Sequence, residues 1–368
     1  MMRFGLDKDV NETRNAIVNS AAPAIRTEFE SLEEQWLHPR ASKSALSKGR
    51  ELPEDPCPIR THFQRDRDRI LHSKAFRRLK HKTQVFIAPV GDHFRTRMTH
   101  SLAVAQVART ITRALKLNED LAESIALGHD LGHPPFGHAG ESILDDIYPG
   151  GFHHQKQSIR IVREIEKLNL TQEVLAGIGG NISGNLNTLE AQVVDTADRM
   201  AYLHHDVEDA TRAGLMNEED LPRDIKNTLG YGRDERLNRM VMDMVENSLQ
   251  SIAADKPKIS MSPEITEAMF ALRHWMFEHV YLKQENIAQT EKVRRVLTGL
   301  YEYFVTHPDD VSDNIPVDHD AGELLLERRA IDYIAGMTDR FAIDIYKKLL
   351  LPNPYARRTE DRGGEGLL

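Results

Sequence analysis

The chain has 368 residues, which is enough for one large domain or two small ones, and 40% of them are hydrophobic, which is enough for a buried core. The formal net charge of −9 excludes a general polyanion-binding surface, and the single cysteine, Cys57, excludes an internal disulfide. No apolar run approaches the roughly 18 residues of a membrane span, and residues 1–19 lack the apolar core of a signal peptide. We therefore expect a cytoplasmic protein without a membrane partner.

The pattern of apolar and helix-breaking residues predicts an all-α protein in four parts. Residues 1–59 are expected to form an N-terminal arm and linker, because prolines recur between residues 39 and 58. Residues 60–212 are predicted to form the central helical core, and residues 213–352 a helical C-terminal part packed on it. Residues 353–368 are polar and rich in glycine, so we expect a flexible tail.

Within the central core, apolar residues at helical spacing predict a series of helices. These helices begin near Arg65 and Thr99 and then cover residues 119–130, 141–147, 155–167 and 188–212. Because His133 precedes a proline, it is disfavoured in a helix, and the segment around it is expected to form an ordered loop. A polar segment that contains glycine, Asn181 to Asn187, predicts a second loop.

The local charge between Arg60 and Lys82 differs from the charge of the whole chain. Basic residues in this stretch far outnumber its two acids, Asp66 and Asp68. A basic stretch in an acidic protein indicates a specific anion site or an oligomer contact, whereas a solvated helix face is the commoner meaning of any charge run. Both interpretations remain open at this point.

A histidine-rich segment, His129-Asp130-Leu-Gly-His133-Pro-Pro-Phe-Gly-His138, carries the strongest chemical signal. Imidazole both binds transition metals and moves protons near neutral pH. One His-Asp pair cannot complete a coordination sphere, and His100 and Asp198 are the candidates for the remaining ligands. Together these four side chains suit Mn, Fe, Mg, Zn or Ni without choosing between them, and they leave coordination positions open for catalysis.

Asp198 begins a second pattern, since Asp198, Tyr202 and Asp206 are spaced four residues apart and share one face of the predicted helix. A face with two carboxylates and a tyrosine is costly to bury without charged or metal partners. A solvent-facing polar stripe is the alternative. The apolar neighbours Ala197, Met200 and Ala201 favour a buried site.

The arrangement of His100, His129-Asp130 and Asp198 resembles the metal motif of the HD-domain phosphohydrolases. Longer strings resemble one branch of them, the bacterial dGTPase-like deoxynucleoside triphosphate (dNTP) triphosphohydrolases; these strings are Phe76–Phe86, Arg95–Leu102, His129–Glu141, Ala197–Tyr202 and Tyr333–Arg340. The resemblance is dense from about residue 60 to 212, with shorter matches near 36–50 and 332–346. It implies an HD-domain helical bundle with additional C-terminal helices, in which residues 60–212 are the catalytic core.

The resemblance also implies an activity and a set of roles. The family cleaves dGTP or other dNTPs to the deoxynucleoside and tripolyphosphate, with a divalent metal held by the four ligands above. It implies a catalytic group and a substrate-binding group in this chain. The catalytic group is His133, His138, Glu141 and His154, and the substrate-binding group is Arg60, Gln84, Arg97, Tyr202 and Asp206.

The expected chemistry agrees with these roles. Attack at the α-phosphorus expels the 5′ oxygen, a poor leaving group that a general acid must protonate, and we expect His138 to be that acid, oriented by Glu141. Arg97 is the first candidate to bind the triphosphate. Tyr202 is expected to pack on the deoxyribose and exclude a 2′-hydroxyl, and the resemblance implies that Asp206 and Gln84 contact the 3′-hydroxyl.

Two other functions remain alternatives: a different HD-type nucleotide phosphohydrolase, and a catalytically silent nucleotide sensor. Related enzymes assemble as hexamers or tetramers, so the resemblance implies a homo-oligomer. It also allows a nucleotide activator or single-stranded DNA at a second site. The sequence does not indicate which base is preferred.

Overall fold

The computed structural model of the chain describes residues 25–84, 95–180, 188–252, 257–316, 322 and 324–352. Every regular element in these ranges is helical, which confirms the predicted all-α class. Extended pairing in them is limited to two isolated bridges, Arg50 with Thr171 and Thr83 with Thr96. The loop predicted at Asn181 to Asn187 and the tail predicted at 353–368 lie outside the described residues.

The α-helices, numbered in chain order, are α1 (25–36), α2 (His62–His72), α3 (Lys74–Arg78), α4 (Arg97–Ala114), α5 (Glu119–Gly128), α6 (Gly137–Ile147), α7 (His154–Arg160), α8 (Gln172–Gly179), α9 (Leu189–Arg212), α10 (Arg223–Leu229), α11 (Arg233–Ile252), α12 (Pro263–Met276), α13 (Gln284–Thr306), α14 (Leu325–Ala335) and α15 (Asp339–Leu350). Single π-helical turns extend α7 over Ile161–Ile165 and α12 over Phe277–Tyr281.

Local chemistry explains where two of the site's helices begin. Thr96 caps α4 by a reciprocal capping box with Thr99, which fixes the first turn just before His100. Ser73 ends α2 and caps α3, because its hydroxyl accepts a hydrogen bond from the amide of Phe76. The basic stretch between Arg60 and Lys82 is therefore divided between two helices, α2 and α3.

Helix α5 lies at the centre of the first hydrophobic core, packed against α2, α4, α8 and α9. Leu121, Ser124, Ile125, Ala126 and Leu127 are all buried, so the helix is covered on nearly every side. Helix α8 approaches α5 closely because Gly177 has no side chain. A side-chain carbon at this position would collide with Ile125. Because α5 is central, the residues that follow its C-terminal end, His129 and Asp130, are positioned in the interior.

A second hydrophobic core joins α6 to α13, α14 and α15. Phe136 belongs to it and adopts a left-handed conformation with φ of 65°, which is strained for a non-glycine residue. Its amide donates to Oδ1 of Asp339 at 2.9 Å, and Oδ2 of Asp339 accepts from the amide and hydroxyl of Thr83. Since Leu131 lies in the first core, the segment from Leu131 to Phe136 passes from one core to the other.

The helices after residue 212 are shared between the two cores: α10, α11 and α12 pack with the first, and α13 to α15 with the second. The boundaries predicted after residues 59, 212 and 352 stay predictions. In the described ranges, no helix combines the length and the apolar character needed to cross a membrane.

Candidate metal and catalytic site

Three packed helices bring together the four predicted metal ligands. His100 lies in the first turn of α4, His129 and Asp130 follow α5, and Asp198 lies in the middle of α9. Nε2 of His100 is 2.9 Å from Oδ1 of Asp198, and Nε2 of His129 is 3.6 Å from the same oxygen. Nε2 of His129 is also 3.4 Å from Oδ1 of Asp130. All four side chains therefore point at one small volume.

The hydrogen bonding of His129 indicates that this small volume suits a cation. Its Nδ1 donates to the carbonyl of Ala126 at 2.6 Å, which fixes the ring and leaves Nε2 as the free nitrogen. That Nε2 is buried and has no hydrogen-bond partner in the described part of the chain. A buried ring nitrogen without a partner costs free energy, and a metal ion would remove that cost. Two imidazoles and two carboxylates are a suitable donor set for a divalent metal.

The charges around this volume are strongly coupled. Burial disfavours the charged form of Asp130, but His129 and Arg97 outweigh burial and lower the pKa of this carboxyl to about 2. Burial is likewise outweighed at His129, where Asp130 and Asp198 raise the pKa to about 9. A metal ion at Nε2 of His129 would therefore compete with a proton for this nitrogen.

The predicted catalytic group forms a second cluster directly beside the first. His133 is buried, with Nε2 3.4 Å from Oδ1 of Asp130, and its ring stacks on His154 at 3.9 Å between centroids. Glu141 accepts from both the amide and Nδ1 of His154 at 2.7 Å. Nδ1 of His138 is 3.6 Å from Oε2 of Glu141. Glu141 therefore orients His154 by hydrogen bonds and His138 only by charge.

His138 is the member of this cluster that faces a cavity. The cavity, which we call the front cavity, has a volume of about 590 Å³, and its wall includes Asp198, His138 and Tyr202. The His138 side chain is 51% exposed, and its ring meets Tyr202 edge to face at 5.7 Å. The size suits a nucleotide-sized ligand, since small-molecule sites span roughly 300–1,000 Å³.

The predicted substrate-binding residues occupy different positions around this site. Tyr202 lines the front cavity, and Asp206 is buried behind it, where it accepts a hydrogen bond from Tyr281. Arg97 is fully buried and donates to Asp130 and to the carbonyl of Gln84, and neither Arg97 nor Gln84 lines the cavity.

Arg60 is not brought into the site by the described contacts. It precedes α2 and pairs with Asp68 at 2.6 Å. Gln64 and Arg67 on the same helix contact Asp120 at the start of α5, the end opposite to His129.

The wall residues that were not predicted from the sequence include two arginines and a tyrosine: Arg199, Arg273 and Tyr281. Arg273 and Tyr281 are separated by eight residues with Phe277 between them, so they share one helix face in the same way as Asp198, Tyr202 and Asp206. That spacing could have indicated from the sequence that Arg273 and Tyr281 face the same site. Arg199 directly follows the ligand Asp198.

Comparison with known proteins identifies the family of the chain. A family model described as "HD domain" matches residues 97–203, and one described as "Phosphohydrolase-associated domain" matches residues 259–348. A "Deoxyguanosinetriphosphate triphosphohydrolase-like protein" from Caldanaerobacter subterraneus is 50% identical, over 90% of this chain and 97% of its own length. The chain belongs to the deoxyguanosinetriphosphate triphosphohydrolase-like family of HD-domain proteins.

One further relative and one solved structure are also similar to the chain. A protein of the same description from Clostridium perfringens is 46% identical, over 89% of this chain and 98% of its own length. A hypothetical protein of known structure from Aquifex aeolicus is 21% identical, with a TM-score of 0.46, over 76% of this chain and 67% of that one. The HD match contains the four metal-ligand candidates, and the associated-domain match contains Arg273 and Tyr281, so both matched regions build the front cavity.

Proposed function

We propose that this family member hydrolyses dNTPs, dGTP among them, to the deoxynucleoside and tripolyphosphate, with a divalent metal as cofactor. One observation carries the proposal: four groups line the front cavity together. They are the metal-ligand candidate Asp198, the candidate proton donor His138, and two arginines, Arg199 and Arg273. The names of the two relatives support the same substrate class.

The two arginines supply the positive charge that a triphosphate requires. Arg273 is exposed and has no hydrogen bond or ion pair among the described residues, whereas Arg199 pairs with Asp195. Burial and the nearby charge of Arg273 both lower the pKa of Arg199. Two guanidinium groups that repel each other across a cavity are stabilised by an anionic ligand, and a triphosphate carries about four negative charges.

In this proposal, His138 is the general acid that completes the cleavage. A divalent cation held by His100, His129, Asp130 and Asp198 would supply Lewis-acid activation of a phosphoryl oxygen and of water. As water bonds to the α-phosphorus and releases a proton to solvent, the bond from phosphorus to the 5′ oxygen breaks, and His138 gives that oxygen its proton and then takes up another from solvent. Its carboxylate neighbour, Glu141, stabilises the protonated imidazole before transfer.

The remaining wall of the front cavity fits a deoxynucleoside. Tyr202 and Tyr281 lie side by side at the buried carboxyl of Asp206, where a flat aromatic surface would pack on a sugar that lacks a 2′-hydroxyl. Phe270 and Phe277 add apolar surface that a base can contact. Neither group selects a particular base.

Product analysis tests the proposal. Ion chromatography after incubation of the protein with each dNTP and Mn²⁺ or Mg²⁺ should show deoxynucleoside and tripolyphosphate in equal amounts. In ¹⁸O-water the label should enter the tripolyphosphate and not the deoxynucleoside. Release of orthophosphate or pyrophosphate would assign a different HD-type phosphohydrolase. Tight dNTP binding without any product, also in dNTP mixtures that supply an activator, would assign a silent sensor.

A homo-oligomer, hexameric or tetrameric, remains part of the proposal. Its support is the exposed apolar face of α1, on which Ile25, Phe29, Leu32 and Trp36 recur at helical spacing. Sedimentation of the intact chain measures the assembly state. A cytoplasmic location, and activation by a nucleotide or single-stranded DNA, stay predictions.

A further inference from the structure

The two histidines among the metal-ligand candidates, His100 and His129, present the same ring nitrogen to one small volume. In each ring Nε2 faces Asp198, at 2.9 Å and 3.6 Å from its Oδ1. A neutral imidazole that binds a metal through Nε2 carries its hydrogen on Nδ1, and that hydrogen needs an acceptor. The group that accepts it therefore decides which nitrogen of the ring is free for a cation.

His129 has its acceptor in the backbone. Its Nδ1 lies 2.6 Å from the carbonyl oxygen of Ala126, near the end of α5. A carbonyl oxygen can only accept, so this contact requires a hydrogen on Nδ1. The backbone of α5 therefore sets the tautomer of His129 without the help of another side chain.

His100 has a second histidine in the corresponding place. Its Nδ1 lies 3.4 Å from Nδ1 of His205, and the two rings meet edge to face at 81°, with 5.6 Å between their centroids. Within the described ranges, His205 is the hydrogen-bond partner that the structure gives to this nitrogen. His100 is 1% exposed and His205 is 4% exposed, so the contact between them is shielded from water.

Helix α9 supplies the partners of both nitrogens of His100. Asp198 and His205 are seven residues apart, which is about two helical turns, so they lie on one face of α9. Helix α4, which carries His100, packs against α9. The ring of His100 therefore meets Asp198 at Nε2 and His205 at Nδ1.

An imidazole partner differs from a carbonyl because its nitrogen either donates or accepts. If the hydrogen between the two rings belongs to His205, a neutral His100 carries its own hydrogen on Nε2, where it blocks a cation. If that hydrogen belongs to His100, Nε2 of His100 is free and the hydrogen of His205 is on its own Nε2. A metal bound at Nε2 of His100 requires the second arrangement, in which Nδ1 of His205 accepts.

We propose that His205 is a positioning residue of the metal site: its Nδ1 accepts the hydrogen on Nδ1 of His100 and thereby keeps Nε2 of His100 free for the divalent cation. This role rests on the proposed function, because it requires the metal centre that the proposed function contains. His205 does not line the front cavity, so it acts through His100 and not on the substrate.

Chelator competition for Mn²⁺ on the full chain, without nucleotide, tests the proposal. His205→Leu removes the acceptor and should weaken Mn²⁺ binding about 10–100-fold, the usual effect of losing the partner of a metal-binding histidine. His205→Asn should restore most of the affinity, because its amide oxygen lies close to the place of Nδ1 and accepts a hydrogen bond.

His204→Leu is the matched control. His204 is the neighbouring residue on α9, is 3% exposed, and has an Nδ1 without a hydrogen-bond partner among the described residues. This variant should leave the Mn²⁺ affinity unchanged. Equal weakening by His205→Leu and His205→Asn would overturn the proposal, since it would show a packing role, and so would an unchanged affinity in His205→Leu. Circular dichroism checks the folding of each variant.

A second measurement needs no variant. Nitrogen-15 NMR of the histidine rings in the Zn²⁺-loaded wild type should show the hydrogen of His100 on Nδ1 and that of His205 on Nε2. A hydrogen on Nδ1 of His205 would overturn the proposal. Because neither experiment contains a dNTP, a chain that binds metal but does not hydrolyse dNTPs leaves the role of His205 in place. A wild-type chain that binds no divalent metal would overturn the metal centre and this role together.

Discussion

The guanidinium of Arg97 donates a hydrogen bond to Oδ2 of Asp130 at 3.0 Å, and both side chains are buried. The other carboxylate oxygen, Oδ1, lies 3.4 Å from Nε2 of His129 and 3.4 Å from Nε2 of His133. Arg97 thus occupies one oxygen and leaves the second directed at the metal volume. This position differs from the phosphate contact that the family resemblance implied for Arg97.

Arg97→Gln should weaken metal binding, because Asp130 loses the group that orients it. Loss of such a supporting partner typically lowers metal affinity by about 10–100-fold. Chelator competition measures the affinity. Arg199→Gln is the contrast, since it should raise KM for a dNTP and leave metal affinity unchanged. A raised KM with intact metal affinity in Arg97→Gln would instead support the phosphate contact.

His129→Ala and His138→Ala should separate metal binding from proton transfer. His129→Ala removes a proposed ligand and should abolish both metal content and turnover. His138→Ala should retain metal and nucleotide binding but lower kcat by about 10²–10⁴-fold, the usual contribution of a general acid. Metal analysis of the purified variants beside steady-state kinetics distinguishes the two. Equal metal loss in both variants would refute this division of roles.

Tyr202→Ala should relax selection against ribonucleotides. The tyrosine ring occupies cavity wall beside His138, and its loss would leave space for a 2′-hydroxyl. We expect kcat/KM for dGTP to fall and the ratio of kcat/KM for GTP to that for dGTP to rise. Tyr202→Phe keeps the ring and should preserve the selectivity of the wild type. An unchanged ratio in the alanine variant would place the selection elsewhere.

Asp206 should make the free energy of unfolding depend on pH. Burial raises its pKa to about 7, from about 4 in the unfolded chain. The folded state then holds a proton that the unfolded state has lost. The stability from this proton is complete below pH 4 and disappears as the pH rises to 7, by at most about 1.4 kcal/mol per pH unit.

Urea unfolding of wild type and Asp206→Asn between pH 4.5 and 7.5 measures this effect. The asparagine cannot ionise, so the variant should gain stability relative to the wild type as the pH rises. Asp234→Asn, at an exposed position, controls for the loss of one negative charge. A stability difference that is constant over this range would contradict the prediction.

Asp332 should be a costly ion-pair residue to remove. It is buried, and its carboxylate accepts from Arg160 at 2.8 Å and Arg328 at 3.0 Å. Asp332→Ala takes a buried counter-charge from both, which typically costs about 3–5 kcal/mol. Arg340→Ala breaks an exposed pair with Asp344 and should cost below about 1 kcal/mol. Similar losses in urea unfolding for the two variants would refute the assignment.

The helices and the metal-ligand candidates could be predicted from the sequence because their signals are local. The spacing of apolar residues predicted α9 at 188–212, where it lies at Leu189–Arg212. The chemistry of His129-Asp130 indicated a metal site, and His100 and Asp198 completed the candidate set that the structure brings together.

The rest of the site depends on tertiary packing, which a single sequence does not display. Arg273 reaches the cavity only because α12 packs on α9, and no motif connects them in the sequence. Arg97 lies in one of the strings that resemble the family, and the resemblance implied a contact with substrate. Its guanidinium is fully buried and donates to Asp130. The break at Ser73 was missed because the apolar spacing continues across it.

The clamp made by Asp339 has a consequence for the order in which the chain matures. All four metal-ligand candidates have been synthesised once the ribosome has passed Asp198, but the residue that holds Thr83 and Phe136 together arrives only with α15. At ordinary translation rates that interval lasts roughly ten to thirty seconds. A nascent chain can therefore bring its metal-ligand candidates together well before Asp339 fastens the segment that contains His133 and leads into α6.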